Sequence, residues 1–151
     1  IKTINEKDLF NFLKEYVSKY KKPINQSKEA ILLKSMAFLK NKAKTLEDIW
    51  NNSQYIINDK IEIRSEDKKL IDDLSKKVIK DFIVEYEKIS SLSRETLEPV
   101  IESLIDKYKT NFKGVGQPLR IALVGSKYGP GLYDVILSLD KSEVIKRLSI
   151  F

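Results

Sequence analysis

The stretch PLRIALVGSKYGPGLYDVI, Pro118 to Ile136, decides the fold, because it can be read in two incompatible ways. In the first, Arg120 to Val124 is an apolar β-strand, and Gly125, Gly129 and Gly131 form a glycine loop that opens a helix, as in a dinucleotide-binding turn. That fold needs a second strand, an acid for the ribose about twenty residues beyond the loop, and further strands to complete a parallel sheet. Only 20 residues follow Gly131, and they carry helical spacing. The residues upstream offer no other convincing strand, and a lone strand has nothing to pair with. In the second reading the stretch is a helix with Pro118 in its first turn and Gly125 at its C-terminal cap. Gly129-Pro130-Gly131 is then a tight turn and Leu132 starts the next helix. Burial overrides the β preference of Ile121 and Val124, since propensity is a weak prior. The second reading is the expectation.

Working outward, most of the chain repeats its apolar residues at three and four positions. Leu9, Phe10, Leu13, Tyr16, Val17 and Tyr20 line one helix, which Lys21-Lys22-Pro23 ends. A second, more apolar helix follows Ser27, read as its cap. Thr45 with Asp48 forms a capping box for a third, bearing Trp50. The spacing from Leu70 through Ile89 predicts one long helix starting at Ser65, and Ser90-Ser91-Leu92-Ser93 interrupts it. Another helix runs from about Thr96 through Tyr108. KTNFKGVGQP reads as a loop, and GLYDVILSL and SEVIKRLSIF read as two short closing helices. The expected architecture is all-α and multihelical, in two small helical subdomains, 1–89 and 90–151. Phe10, Phe12, Phe38, Phe82 and Trp50 are expected in the core, whereas Tyr128 and Tyr133, on or beside the turn, are candidates for contact with RNA bases.

Composition narrows the chemistry. The 151 residues contain no Cys and no His, which removes disulfides, thiolate nucleophiles, imidazole bases and nearly all zinc chemistry. No catalytic residue and no metal site is expected. The chain opens on Ile1 and its one methionine is Met36, which reads as a segment of a longer protein. No apolar run approaches the roughly 18 residues of a membrane helix, and no signal pattern precedes the first helix. The expectation is a cytoplasmic monomer with no membrane or DNA partner. Charge is uneven. Residues 14–44 carry +7, residues 107–127 carry +5, and residues 45–106 carry −6. Two basic blocks flanking an acidic one suit a polyanion gripped at two places, and equally suit solvated helix faces. Lys113, Arg120, Lys127 and Tyr128 surround the turn with the basic and aromatic groups that single-stranded RNA requires.

GQPLRIALVGSKYGPGLYDVILSLDKSEVIKRL resembles the C-terminal signature of bacterial-type glutamyl-tRNA synthetases, with Arg120, Gly125, Pro130, Leu132 and Arg147 at matching positions. LLKSMAFLKNKAKTLEDIW is similar to an earlier segment of the same family. The resemblance implies two all-α subdomains forming the anticodon-binding end of a class I synthetase. ATP and Mg would serve its catalytic domain, which this chain does not contain. The implied partner is tRNA-Glu. The implied anticodon contacts are Arg120, Gly129, Pro130 and Leu132, with Lys127 and Tyr128 beside them. Arg120 could instead form a salt bridge at a helix end, for example with Asp134. Arg147 is given to structure or to a phosphate. Some family members use an arginine near the AKTL segment, where this chain has Lys40, Lys42 and Lys44. Lys42 and Lys44 are therefore candidate tRNA contacts without a bidentate arginine fork, and tRNA-Gln stands beside tRNA-Glu as a partner. Val124, Gly129 and Asp140 depart from the family pattern. A helical protein-interaction module with no RNA role is the alternative.

Overall fold

The computed structural model describes residues 3–58 and 60–151, with the side chain of Lys42 outside the described set. The chain divides into two compact units between Lys60 and Ile61. Within the first, the Asn5 side chain accepts the Asp8 amide at 2.9 Å and starts α1 (Glu6–Tyr20). Its Leu9, Phe10, Leu13 and Val17 are buried against α2 (Glu29–Leu39) and α3 (Leu46–Asn52). Phe12 falls just off that stripe and is exposed, and Phe38 and Trp50 are half-buried, so only Phe10 and Phe82 of the expected core aromatics are buried. Ser27 does not cap α2. It lies in a 3-10 turn, Gln26–Lys28, and the Asn25 carboxamide accepts its amide at 3.1 Å. The Thr45–Asp48 capping box forms as expected. The Lys44 and Thr45 amides donate to Asp48 and hold its carboxyl below the usual carboxylate range. A short α4 (Gln54–Ile57) completes the unit.

The second unit holds α5 (Ser65–Lys68), α6 (Asp73–Glu87), α7 (Arg94–Lys107), α8 (Phe112–Val124), α9 (Leu132–Ser138) and α10 (Lys141–Leu148). The long helix expected from Ser65 is broken. Asp72 accepts both the amide and the hydroxyl of Ser75 at 2.8 Å and so caps a fresh helix, α6. Leu70 and Leu74 consequently lie exposed, off the apolar stripe. Helix α6, expected before a boundary at residues 89 and 90, packs against α7, α8 and α10 inside this unit.

Helix α8 occupies the centre, touching α6, α7, α9 and α10, and seven of its residues are buried from Val115 to Leu123. That burial is why Ile121, and the half-buried Val124 after it, are helical despite their branching. The helix begins earlier than expected, since KTNFKGVGQP is not a loop beyond Asn111. The Asn111 side chain accepts the Gly114 amide at 2.9 Å and caps it at Phe112. Gly114 and Gly116 sit inside the helix because neighbours approach closely. A Cβ on Gly114 would lie 2.0 Å from the Thr110 hydroxyl, and one on Gly116 would lie 3.3 Å from Leu132. Pro118 is accordingly buried within the helix, past its first turn. Among the described residues there is no strand, and no helix is long and apolar enough to cross a membrane.

Candidate nucleic-acid interface

Helix α8 ends as its sequence indicates. Gly125 adopts φ 90°, and its amide donates to the Ile121 carbonyl at 2.8 Å. The Gly125 carbonyl then accepts the Arg64 amide at 3.1 Å. Segment 61–67 lies so close that a Cβ on Gly125 would stand 2.6 Å from the Glu62 carbonyl oxygen. The chain next passes a half-buried Lys127, exposes Tyr128 and Gly129, and turns back through a buried Pro130 to Gly131 and α9. Gly129 has φ 142° in open space, its nearest would-be neighbour being Val124 at 3.5 Å. Its requirement is conformational rather than steric. Leu132, expected at the RNA, is 2% exposed and faces the core beside Gly116. Pro130 and Leu132 therefore seat the turn, and the exposed surface falls to Tyr128 and Gly129, beside a half-buried Lys127.

Arg120 lies half-buried beneath this turn. Its Nη1 donates to the Lys127 carbonyl at 3.2 Å, while its Nε is buried without a partner among the described residues. No carboxylate among the described residues stands within ion-pair distance, so the salt bridge considered with Asp134 does not form. Burial alone lowers its pKa. A buried cationic donor with unused capacity is costly to maintain without an acceptor.

Two cavities meet at Arg120 and Phe112. One, of about 370 Å³, is walled by Lys113, Gly116, Gln117, Lys127 and Tyr128 and contains no acid. The other, of about 490 Å³, is lined by Arg94, Glu98, Glu102, Tyr133 and Asp134 as well. Tyr133 is packed between Phe112, 6.0 Å between centroids, and the Arg94 guanidinium, 4.8 Å from its ring. Its hydroxyl is held above the usual phenol range, chiefly by burial. Tyr128 is 65% exposed, with the Lys127 ammonium 5.2 Å from its ring. The acid-free chamber thus combines three cations, an amide and an open aromatic face, groups suited to phosphate oxygens and to an unstacked base.

The other expected residues stand elsewhere. Arg147 is 5% exposed and structural, bonding Glu143 and the Leu123 carbonyl at 2.8 Å each. Lys44 belongs to the first unit and is exposed, and Lys42, in the same unit, has its side chain outside the described residues. Lys40 is occupied by Glu6 at 3.0 Å. Gln117 and Asp67 were not anticipated. Reading FKGVGQP as helix would have exposed the Lys113, Gln117 and Arg120 spacing, whereas nothing local marks Asp67, which reaches the turn from far along the chain. Among the described residues no group of three or more carboxylates is placed to hold a metal ion.

Residues 8–151 match the family described as anticodon binding domain. The chain is 56% identical over 148 residues to a glutamate–tRNA ligase of Pelagibacter ubique, covering 98% of this chain and 32% of that protein. It is 29% identical over 145 residues to the corresponding ligase of Nitrobacter hamburgensis, covering 93% and 31%. The crystal structure of a glutamate–tRNA ligase from Elizabethkingia meningosepticum, in complex with its amino acid, superposes with a TM-score of 0.78 at 19% identity. That alignment covers 97% of this chain and 29% of the larger one. The chain spans about a third of the length of these relatives.

Proposed function

Because the chain belongs to the anticodon binding domain family, we propose that it is the anticodon-binding region of a glutamate–tRNA ligase and grips the anticodon loop of tRNA-Glu at the turn after α8. The observation that carries this reading is Arg120, half-buried between two cavities, whose Nε has no partner and whose guanidinium has no carboxylate within ion-pair distance among the described residues. A splayed base entering from either cavity meets a guanidinium edge already desolvated, where a charge-assisted hydrogen bond is stronger than in water. Lys113 and Lys127 answer the flanking phosphates, and the exposed Tyr128 ring offers a stacking face worth about 1–3 kcal/mol per base. Gly129 lets the turn backbone approach the RNA without a side chain, Pro130 and Leu132 hold that backbone in place, and Lys42 and Lys44 of the first unit are further candidate tRNA contacts. Attachment of glutamate, with ATP and Mg, is assigned to the part of the ligase outside this chain. Cytoplasmic location and a monomeric state complete the reading.

No arginine is available near Lys42 and Lys44 to form a bidentate base contact, so tRNA-Gln is expected to bind this region nearly as well as tRNA-Glu. Titration with the tRNA-Glu anticodon stem-loop tests the main claim. Arg120→Ala is expected to weaken binding about tenfold, equivalent to about 1.4 kcal/mol. The logarithm of the affinity is expected to fall with the logarithm of salt at a slope near −0.7 per phosphate contact, so Lys113→Ala or Lys127→Ala removes about one such increment. Equal affinity of wild type and Arg120→Ala would sink the role given to Arg120.

A further inference from the structure

Asp67, in α5, is an acid only 2% exposed within a chain whose other acids lie mostly at the surface. Its Oδ2 accepts the backbone amide of Lys127 at 3.3 Å, and the carbonyl of that same residue accepts the Arg120 guanidinium at 3.2 Å. Lys127 is thus held between a buried carboxylate on its amide side and a cation on its carbonyl side. Three residues before Asp67, the Arg64 amide fastens the Gly125 carbonyl at 3.1 Å, so one short segment pins the turn at two points.

We propose that Asp67 is a positioning residue for RNA binding, acting through the Lys127 backbone to fix the Arg120 guanidinium between its two cavities. The inference rests on the reading of Arg120 as an RNA contact. An arginine side chain carries substantial rotamer freedom, and Arg120 has a single hydrogen bond to hold it among the described residues. The acceptor of that bond sits on an exposed turn flanked by a Gly125 cap and a left-handed Gly129, a backbone with little stiffness of its own. The carboxylate supplies the stiffness. It accepts the amide of the residue whose carbonyl Arg120 uses, and hydrogen bonds linked in this way reinforce one another. Burying an acid at this point is unfavourable unless such a bond compensates.

The test is a double-mutant cycle on the full chain, read by titration with the tRNA-Glu anticodon stem-loop. Asp67→Ala is expected to weaken binding about three- to tenfold in the wild-type background, and by less than about twofold when Arg120→Ala is already present. Asp67→Asn, whose side-chain carbonyl can still accept the Lys127 amide, is expected to stay within about twofold of wild type. Should the alanine variant not fold, Asp67→Ser carries the cycle, because its shorter side chain leaves the amide out of reach. Equal losses from Asp67→Ala with and without Arg120 would overturn the positioning role, as would an Asp67→Asn loss as large as that of alanine. Unchanged binding in Arg120→Ala alone is a different result, since it removes the RNA reading on which the inference stands.

Discussion

Replacing Arg147 with alanine is expected to cost about 2–3 kcal/mol of folding stability, the range for leaving a buried hydrogen-bonding group without its charged partner. Arg147 is 5% exposed and joins two elements, bonding Glu143 on its own helix and the Leu123 carbonyl in the last turn of α8. The last carbonyls of a helix have no partner within it, and the negative end of the helix dipole favours a cation there. Alanine would leave the Leu123 carbonyl short of a donor in the centre of the unit and Glu143 without its counter-charge. Arg147→Lys keeps the charge but cannot reproduce the two-pronged geometry, so it is expected to lose about half as much. Urea unfolding followed by circular dichroism measures both, and a loss below about 1 kcal/mol for the alanine variant would show that the bridge between α8 and α10 contributes little.

Gly125→Ala is expected to lose about 3 kcal/mol, for two separable reasons. Its φ of 90° disfavours any residue with a Cβ by about 1–2 kcal/mol. The new Cβ would also press to 2.6 Å from the Glu62 carbonyl oxygen and from an Ile61 methyl, forcing segment 61–64 away and straining the Arg64 to Gly125 hydrogen bond. Gly129→Ala probes the conformational contribution without the steric one, because Gly129 also has a positive φ, 142°, but lies in open space. It is expected to lose only about 1 kcal/mol. Similar losses for the two variants in the same unfolding measurement would mean that the close approach of segment 61–64 is not what requires glycine at residue 125.

That contrast answers the ambiguity of the central stretch. Its glycines are needed for a helix cap, a close packing contact and a turn, and the branched residues between them are helical because α8 is surrounded by four other helices. The all-α class was legible because the residues after Gly131 have helical spacing and no partner strand exists upstream. Asn111, Thr45 and Ser93 accept amides at the starts of α8, α3 and α7, and only the second was read in advance, since the glycines of KTNFKGVGQP masked the first. The break before α6 was missed because Leu70 and Leu74 happen to match the period of the stripe that follows. Arg120, Lys127 and Tyr128 could be picked out locally, as basic and aromatic residues beside a turn. The inward direction of Leu132 and the Asp67 contact could not, because both depend on which helix lies behind the turn.

One guanidinium is central to the proposed anticodon grip, and the chain has only four arginines, Arg64, Arg94, Arg120 and Arg147. Their Nε–H signals can be followed individually by NMR in nitrogen-labelled protein as the tRNA-Glu anticodon stem-loop is added. The Arg120 Nε–H, buried and unpartnered in the free protein, is expected to move furthest, together with the amides of Lys127 and Tyr128, while the Arg147 signal stays in place. An Arg120 signal unchanged at saturating RNA, with shifts confined to other residues, would contradict the assignment of the turn after α8 as the anticodon grip.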